Sequence, residues 1–132
     1  MIDVKELRIG NNILDNGIVI QVTSATIMDI VQYRIDYDPI PLEPEVLEKC
    51  GFEKLQSPIL INSYFIELSD DKILSIHYVG TDDEIVFLSE QKDGKINATV
   101  LIREYCFEGK TYLHQLQNIT YFLTNTELNF KP

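Results

Sequence analysis

SYFIELSDDKILSIHY, residues 63–78, is the stretch that decides the fold class. Tyr64, Ile66 and Leu68 alternate with Phe65 and Glu67. After Asp70-Asp71-Lys72 the alternation resumes, with Leu74, Ile76 and Tyr78 set against Ser75 and His77. Successive side chains of a strand point to opposite faces, so this period of two predicts a hairpin with one apolar face and a turn at the aspartates. A second hairpin is expected from Glu84–Glu90 and Lys95–Glu104 around Lys92-Asp93-Gly94, with Ile96, Ala98, Val100 and Ile102 as its inward row. Together the four segments predict an antiparallel meander. Its register is fixed by the alternation, because a one-residue slip would turn the apolar row to water.

Beyond the meander the period changes. From Thr111, a residue whose hydroxyl suits a helix cap, Tyr112, Leu116, Ile119 and Leu123 fall on one line at 100° per residue, flanked by Leu113 and Phe122. The spacing predicts a helix packed by this stripe on the meander, ended by Asn125, with Leu128 and Phe130 as a final short strand. The other side of the helix carries His114, Gln117, Asn118 and Tyr121. No Asp, Glu, Lys or Arg occurs from Thr111 to Thr126, although 24% of the chain is charged. Solvated helix faces normally carry charge, so an amide-rich uncharged face points to cover by loops of this same chain, or else to a self-association or partner surface, or to a ligand site.

On the N-terminal side, Asp15-Asn16-Gly17 favours a tight hairpin turn, since Asn tolerates and Gly readily adopts positive φ. Ile18–Thr23 reads as a strand, and the β-branched run from Thr26 to Ile35 as another. Short strands joined this tightly suggest a small barrel-like β-unit. Asp38-Pro39-Ile40-Pro41-Leu42-Glu43-Pro44 holds the chain extended until Pro44, which suits a first helical turn. A short helix over Glu45–Cys50 follows, with Val46 and Leu47 inward and Gly51 ending it. The expected architecture is α+β, one domain over residues 1–132.

Twenty-one acidic against 11 basic residues give a net charge of −10. Such a chain is repelled by phosphate backbones, so direct nucleic-acid binding is not expected. No apolar run approaches the ~20 residues of a membrane span. Met1–Glu6 does not open a signal peptide, and Cys50 and Cys106 read as buried free thiols, which together lead to a cytoplasmic expectation. No phosphate-cradling glycine loop, nucleophile elbow or paired metal-ligand motif is present, so neither cofactor nor metal is expected. Asp36/Asp38, Asp70/Asp71 and Asp82/Asp83/Glu84 read as turn chemistry, and Asp36-Tyr37-Asp38 lacks the glycine and closing glutamate of a calcium loop.

Three segments, Glu6-Leu7-Arg8-Ile9-Gly10-Asn11, Pro39-Ile40-Pro41-Leu42 running to Gly51-Phe52, and Tyr112–Asn118 with Thr124–Leu128, carry a resemblance. In this order the chain resembles a family of small uncharacterised proteins of gut-bacterial genomes and their phages. The resemblance implies a shared fold and a mobile-element setting, and no activity or site residue. The family more often has threonine where Glu43 stands, which makes Glu43 a poorer helix cap. The leading expectation is a non-enzymatic protein-interaction module, phage- or prophage-associated. It would meet a protein partner or a second copy through His114, Gln117, Asn118 and Tyr121. Two alternatives stand beside it: a small-molecule or metal-dependent hydrolase using His77 or His114 with an acidic partner, and an acidic decoy that mimics nucleic acid.

Overall fold

A computed structural model describes residues 2–56, 62–79, 83–93, 95–103 and 111–132. By its contacts the chain divides into a terminal unit, Met1–Leu42 with Thr111–Pro132, and a central unit, Glu43–Lys110. The architecture is mixed α+β, with two antiparallel sheets and three α-helices among the described residues.

In the terminal unit, β1 (Asn12–Asp15) and β2 (Ile18–Gln21) form the expected hairpin. Its two-residue loop has φ 49° at Asn16 and 83° at Gly17. Positive φ at both positions defines the turn that matches strand twist. Beyond β1, Leu14 exchanges backbone hydrogen bonds of 2.8 and 3.0 Å with Asp38. No closed barrel forms. The run expected as a second strand is instead α1 (Ser24–Tyr33).

The reason is local. The Thr23 amide donates to the Thr26 hydroxyl at 3.2 Å, and the Thr26 amide donates to the Thr23 hydroxyl. This reciprocal capping satisfies two orphan amides and outweighs the weak strand preference of Ile and Val. Ile27 and Ile30, at helical spacing, pack on a core of Ile2, Ile13, Val22 and Tyr37. The Tyr37 hydroxyl donates to Asp29 on the same helix.

Extended chain at Ile40 and Pro41 pairs with the start of α3 (Leu113–Thr124), where the Leu113 amide donates to Ile40 C=O at 2.9 Å. The cap position falls to Tyr112, one residue after the expected Thr111, and the Tyr112 amide donates to the Gln115 side-chain oxygen. Asn125 ends the helix at φ 55°, as expected. Leu128 is buried, but it and Phe130 lie in irregular chain rather than in a strand. Helix α3 groups with the N-terminal hairpin, and its side-chain bonds run to Glu6, Asn11 and Asn12.

The central unit opens with α2 (Pro44–Lys49). Glu43 makes no side-chain cap bond. At the other end the Phe52 amide donates to Leu47 C=O and the Gly51 amide to Glu48 C=O, each at 3.0 Å. These two bonds close the helix in the paired C-terminal motif that needs positive φ, and Gly51 supplies it at 94°. Cys50 is buried here, and burial pushes its thiol up to about 12; Cys106 lies outside the described residues.

The sheet runs β3 (Glu53–Lys54), β4 (Ser63–Ser69), β5 (Lys72–Val79), β6 (Asp83–Lys92) and β7 (Lys95–Arg103), each antiparallel to the next. This is the expected meander with a two-residue edge strand added. Tyr64, Leu74, Ile76, Val86 and Leu88 form its buried face, as the alternation predicts. The inward row expected of β7 concerns side chains outside the described ones. At the β4–β5 turn the Ser69 hydroxyl donates to Asp71 at 2.8 Å, the turn role expected of that pair.

Candidate functional site

The expected contact face of α3 meets the N-terminal segment of the same chain. Leu7-Arg8-Ile9-Gly10-Asn11 makes a tight bend. The Arg8 amide donates to the Asn11 side-chain oxygen at 2.7 Å, and the Asn11 amide returns a bond to Arg8 C=O. The bend presents two consecutive asparagines to the helix.

Gln117, 2% exposed, uses its whole amide there. Its nitrogen donates to the Asn12 side-chain oxygen at 2.9 Å and to Leu128 C=O at 3.0 Å; its oxygen accepts from the Asn12 amide at 3.0 Å. Asn118 accepts from Asn11 Nδ2 at 2.9 Å and donates to Glu6 C=O at 2.6 Å. A buried amide without partners would cost a few kcal/mol, so this network lets a polar helix face enter a core.

His114 is also buried, 1% exposed, with Nε2 at 3.5 Å from the Glu6 carboxylate and its ring stacked on Tyr112. Burial lowers its pKa, an effect that Glu6 partly opposes. Tyr121 is exposed and lies under the Arg8 guanidinium, 4.4 Å from ring centroid to Cζ. That guanidinium also forms a two-pronged bond to Glu127, at 2.5 and 3.0 Å. Of the four residues singled out in the sequence, two are therefore sealed, Asn118 is half-buried, and Tyr121 reaches the surface.

The helix is turned relative to the expected stripe. Leu113, His114, Leu116, Gln117 and Thr120 are its buried residues. Their centre lies about 100°, one residue step, from the line through Leu116 and Leu123. Gln117 goes in beside Leu113 and Leu116, while other apolar groups come out: Phe122 is 86% exposed, and Leu123 is exposed beside it. Helix α1 repeats the pattern, with Met28 and Val31 exposed one turn apart and Tyr33 and Ile35 exposed at its end. Ile9 and Ile18 complete the set. Among the described residues, every exposed large apolar side chain belongs to the terminal unit.

That unit holds seven acidic and four basic residues, against fourteen and seven in the central unit. The apolar surface is carried by the less acidic part of the chain. The sequence pattern hides these residues, because a β-branched run places Met28 and Val31 in a strand and the apolar helical stripe takes in Phe122.

His77 belongs to the central unit, where Nδ1 lies 2.6 Å from the Ser63 hydroxyl and the ring meets Phe87 edge to face. Among the described residues no three His, Cys, Asp or Glu side chains gather to hold a metal ion. No described helix is long and apolar enough to cross a membrane. Compared with protein-family models, curated proteins and solved structures, the chain matches none.

Proposed function

We propose that this chain is a non-enzymatic protein-interaction module whose contact surface is the terminal unit, and that a second copy of the chain is its simplest partner. The observation that carries the reading is the inside-out character of α1 and α3. Both are nearly free of charge, and both leave large apolar side chains in water. Burying one such side chain on association contributes roughly 1.5–3 kcal/mol, so leaving several exposed argues for a partner. Two copies of a −10 chain repel each other, which favours contact through the less acidic unit. A phage or prophage setting belongs to the same proposal and rests on the sequence resemblance alone.

This surface is not the helix face that the sequence points to. Tyr121 stays in it, Phe122 and Val31 enter it, and Gln117 and His114 act from behind by holding α3 in its orientation. The hydrolase alternative would need substrate to reach His114, which the fold seals, or a carboxylate beside His77, where the described partner is a serine hydroxyl.

Light-scattering mass across a concentration series tests the proposal. The wild type is expected to associate, and Val31→Glu/Phe122→Glu to run as a monomer with unchanged thermal stability. A wild type that stays monomeric throughout, with the same elution as the variant, would contradict it.

A further inference from the structure

The second face of the meander in the central unit carries a site of its own. Register places Phe65 opposite Ser75 and Ser75 opposite Phe87, Ser63 opposite His77, and Ile73 opposite Ser89, which faces Thr99. Phe65 and Phe87 thus stand on strands two apart, roughly 9.5 Å at the usual strand spacing, with only a serine between them. Small side chains on the floor and rings at the walls leave a hollow of about 450 Å3, which Leu55 and Tyr64 help to line.

Among the described residues ten line it, and none of these is Asp, Glu, Lys or Arg, in a chain with net charge −10. The polar groups present are hydroxyls and one imidazole. The Ser63 hydroxyl engages His77 Nδ1, which leaves Nε2 as the ring nitrogen able to address a ligand. Burial lowers the His77 pKa, which favours the neutral imidazole. Size, apolar walls and a few fixed hydrogen-bonding groups match the make-up of small-molecule sites, which span about 300–1,000 Å3.

The chemistry narrows the occupant. Among the described lining residues an anion would find no cationic side chain and a cation no carboxylate; Glu53, paired with Phe65 at the sheet edge, and Glu67 share the face but do not line the hollow. A flat ring system would fit between two phenyl rings, where offset or edge-on contact is favourable.

We propose that this hollow binds a neutral aromatic or heteroaromatic small molecule, seated between Phe65 and Phe87 over Ser75 with its polar edge toward His77. Every described lining residue belongs to the central unit.

The uncharged fluorophore N-phenyl-1-naphthylamine is the probe, titrated into the full chain, with indole and indole-3-acetate as competitors. One saturable site is expected, displaced by indole and not by its charged analogue. Ser75→Leu, which fills the floor, is expected to weaken binding by about tenfold or more. Phe122→Glu, on the terminal unit, is expected to leave it unchanged. In the unsubstituted protein the imidazole NMR signals of His77 should shift on titration while those of His114 stay. The proposal is overturned if binding is absent or unsaturable, if Phe122→Glu abolishes it, or if the His77 signals do not move at saturation.

Discussion

Gln117 shows how one side chain sets the orientation of a helix. Its amide joins the start of β1 to the buried chain at Leu128, and each partner it satisfies is itself shielded from water. Gln117→Leu keeps the bulk and removes the bonds, stranding the Asn12 amide, the Asn12 side-chain oxygen and Leu128 C=O. At about 1–3 kcal/mol per stranded buried group, with some relaxation, a loss of roughly 3 kcal/mol is expected in urea unfolding. Its neighbour on the same face, His114, brings pH into the same packing. Burial holds its pKa below the ordinary 6.5, so on acidification the unfolded chain takes up the proton first. The His114 contribution to stability is therefore fully present above pH 6.5 and is lost as pH falls through the lowered value. The urea midpoint should drop between pH 7.5 and 5, and by less in His114→Gln. An equal drop in both proteins would remove His114 from the explanation.

At the scale of elements, the reciprocal Thr23–Thr26 cap does for α1 what composition does not. Thr23→Ala removes the accepting hydroxyl and is expected to cost about 1 kcal/mol in chemical denaturation. An unchanged midpoint would mean that α1 is held by Ile27 and Ile30 alone. The same helix marks where the sequence was hard to read. Ile27, Ile30 and Val31 favour strands by type, and the cap uses threonine at both positions rather than the usual Glu or Gln at the second. The meander was legible because one buried face leaves a strict alternation. The Asn16-Gly17 turn was legible because positive φ restricts which residues serve there. Helix α3 was legible in extent and not in orientation. Apolarity points to Leu123 as inward, while the amides can be buried only if Asn11 and Asn12 stand opposite, a contact between residues more than a hundred positions apart. The hollow on the meander left a trace of the same kind. Between Glu67 at one end and the far side of the sheet, the outward row that lines it offers serine, threonine, histidine and phenylalanine.

At the scale of the whole molecule, the two termini build one unit and the middle of the chain builds the other. The first crossing between them falls within the Pro39–Pro44 stretch, which reads as a stiff approach to a helix and also serves as a boundary. The second lies at 110/111, where composition offers no linker signal. A chain whose ends meet places its long-range contacts where no local pattern records them. The division of surface follows the division of the fold. The terminal unit carries the exposed apolar side chains, and the central unit carries more of the negative charge.

All of this depends on which face of α3 looks inward, and NMR with a soluble paramagnetic agent reads that face directly in one sample kept dilute enough to be monomeric. The expected result is strong broadening of the Phe122 ring and Leu123 methyl signals, while the Gln117 side-chain amide protons are spared. Broadened Gln117 amide protons beside a protected Phe122 would contradict the inverted helix, and with it the interaction surface proposed for the terminal unit.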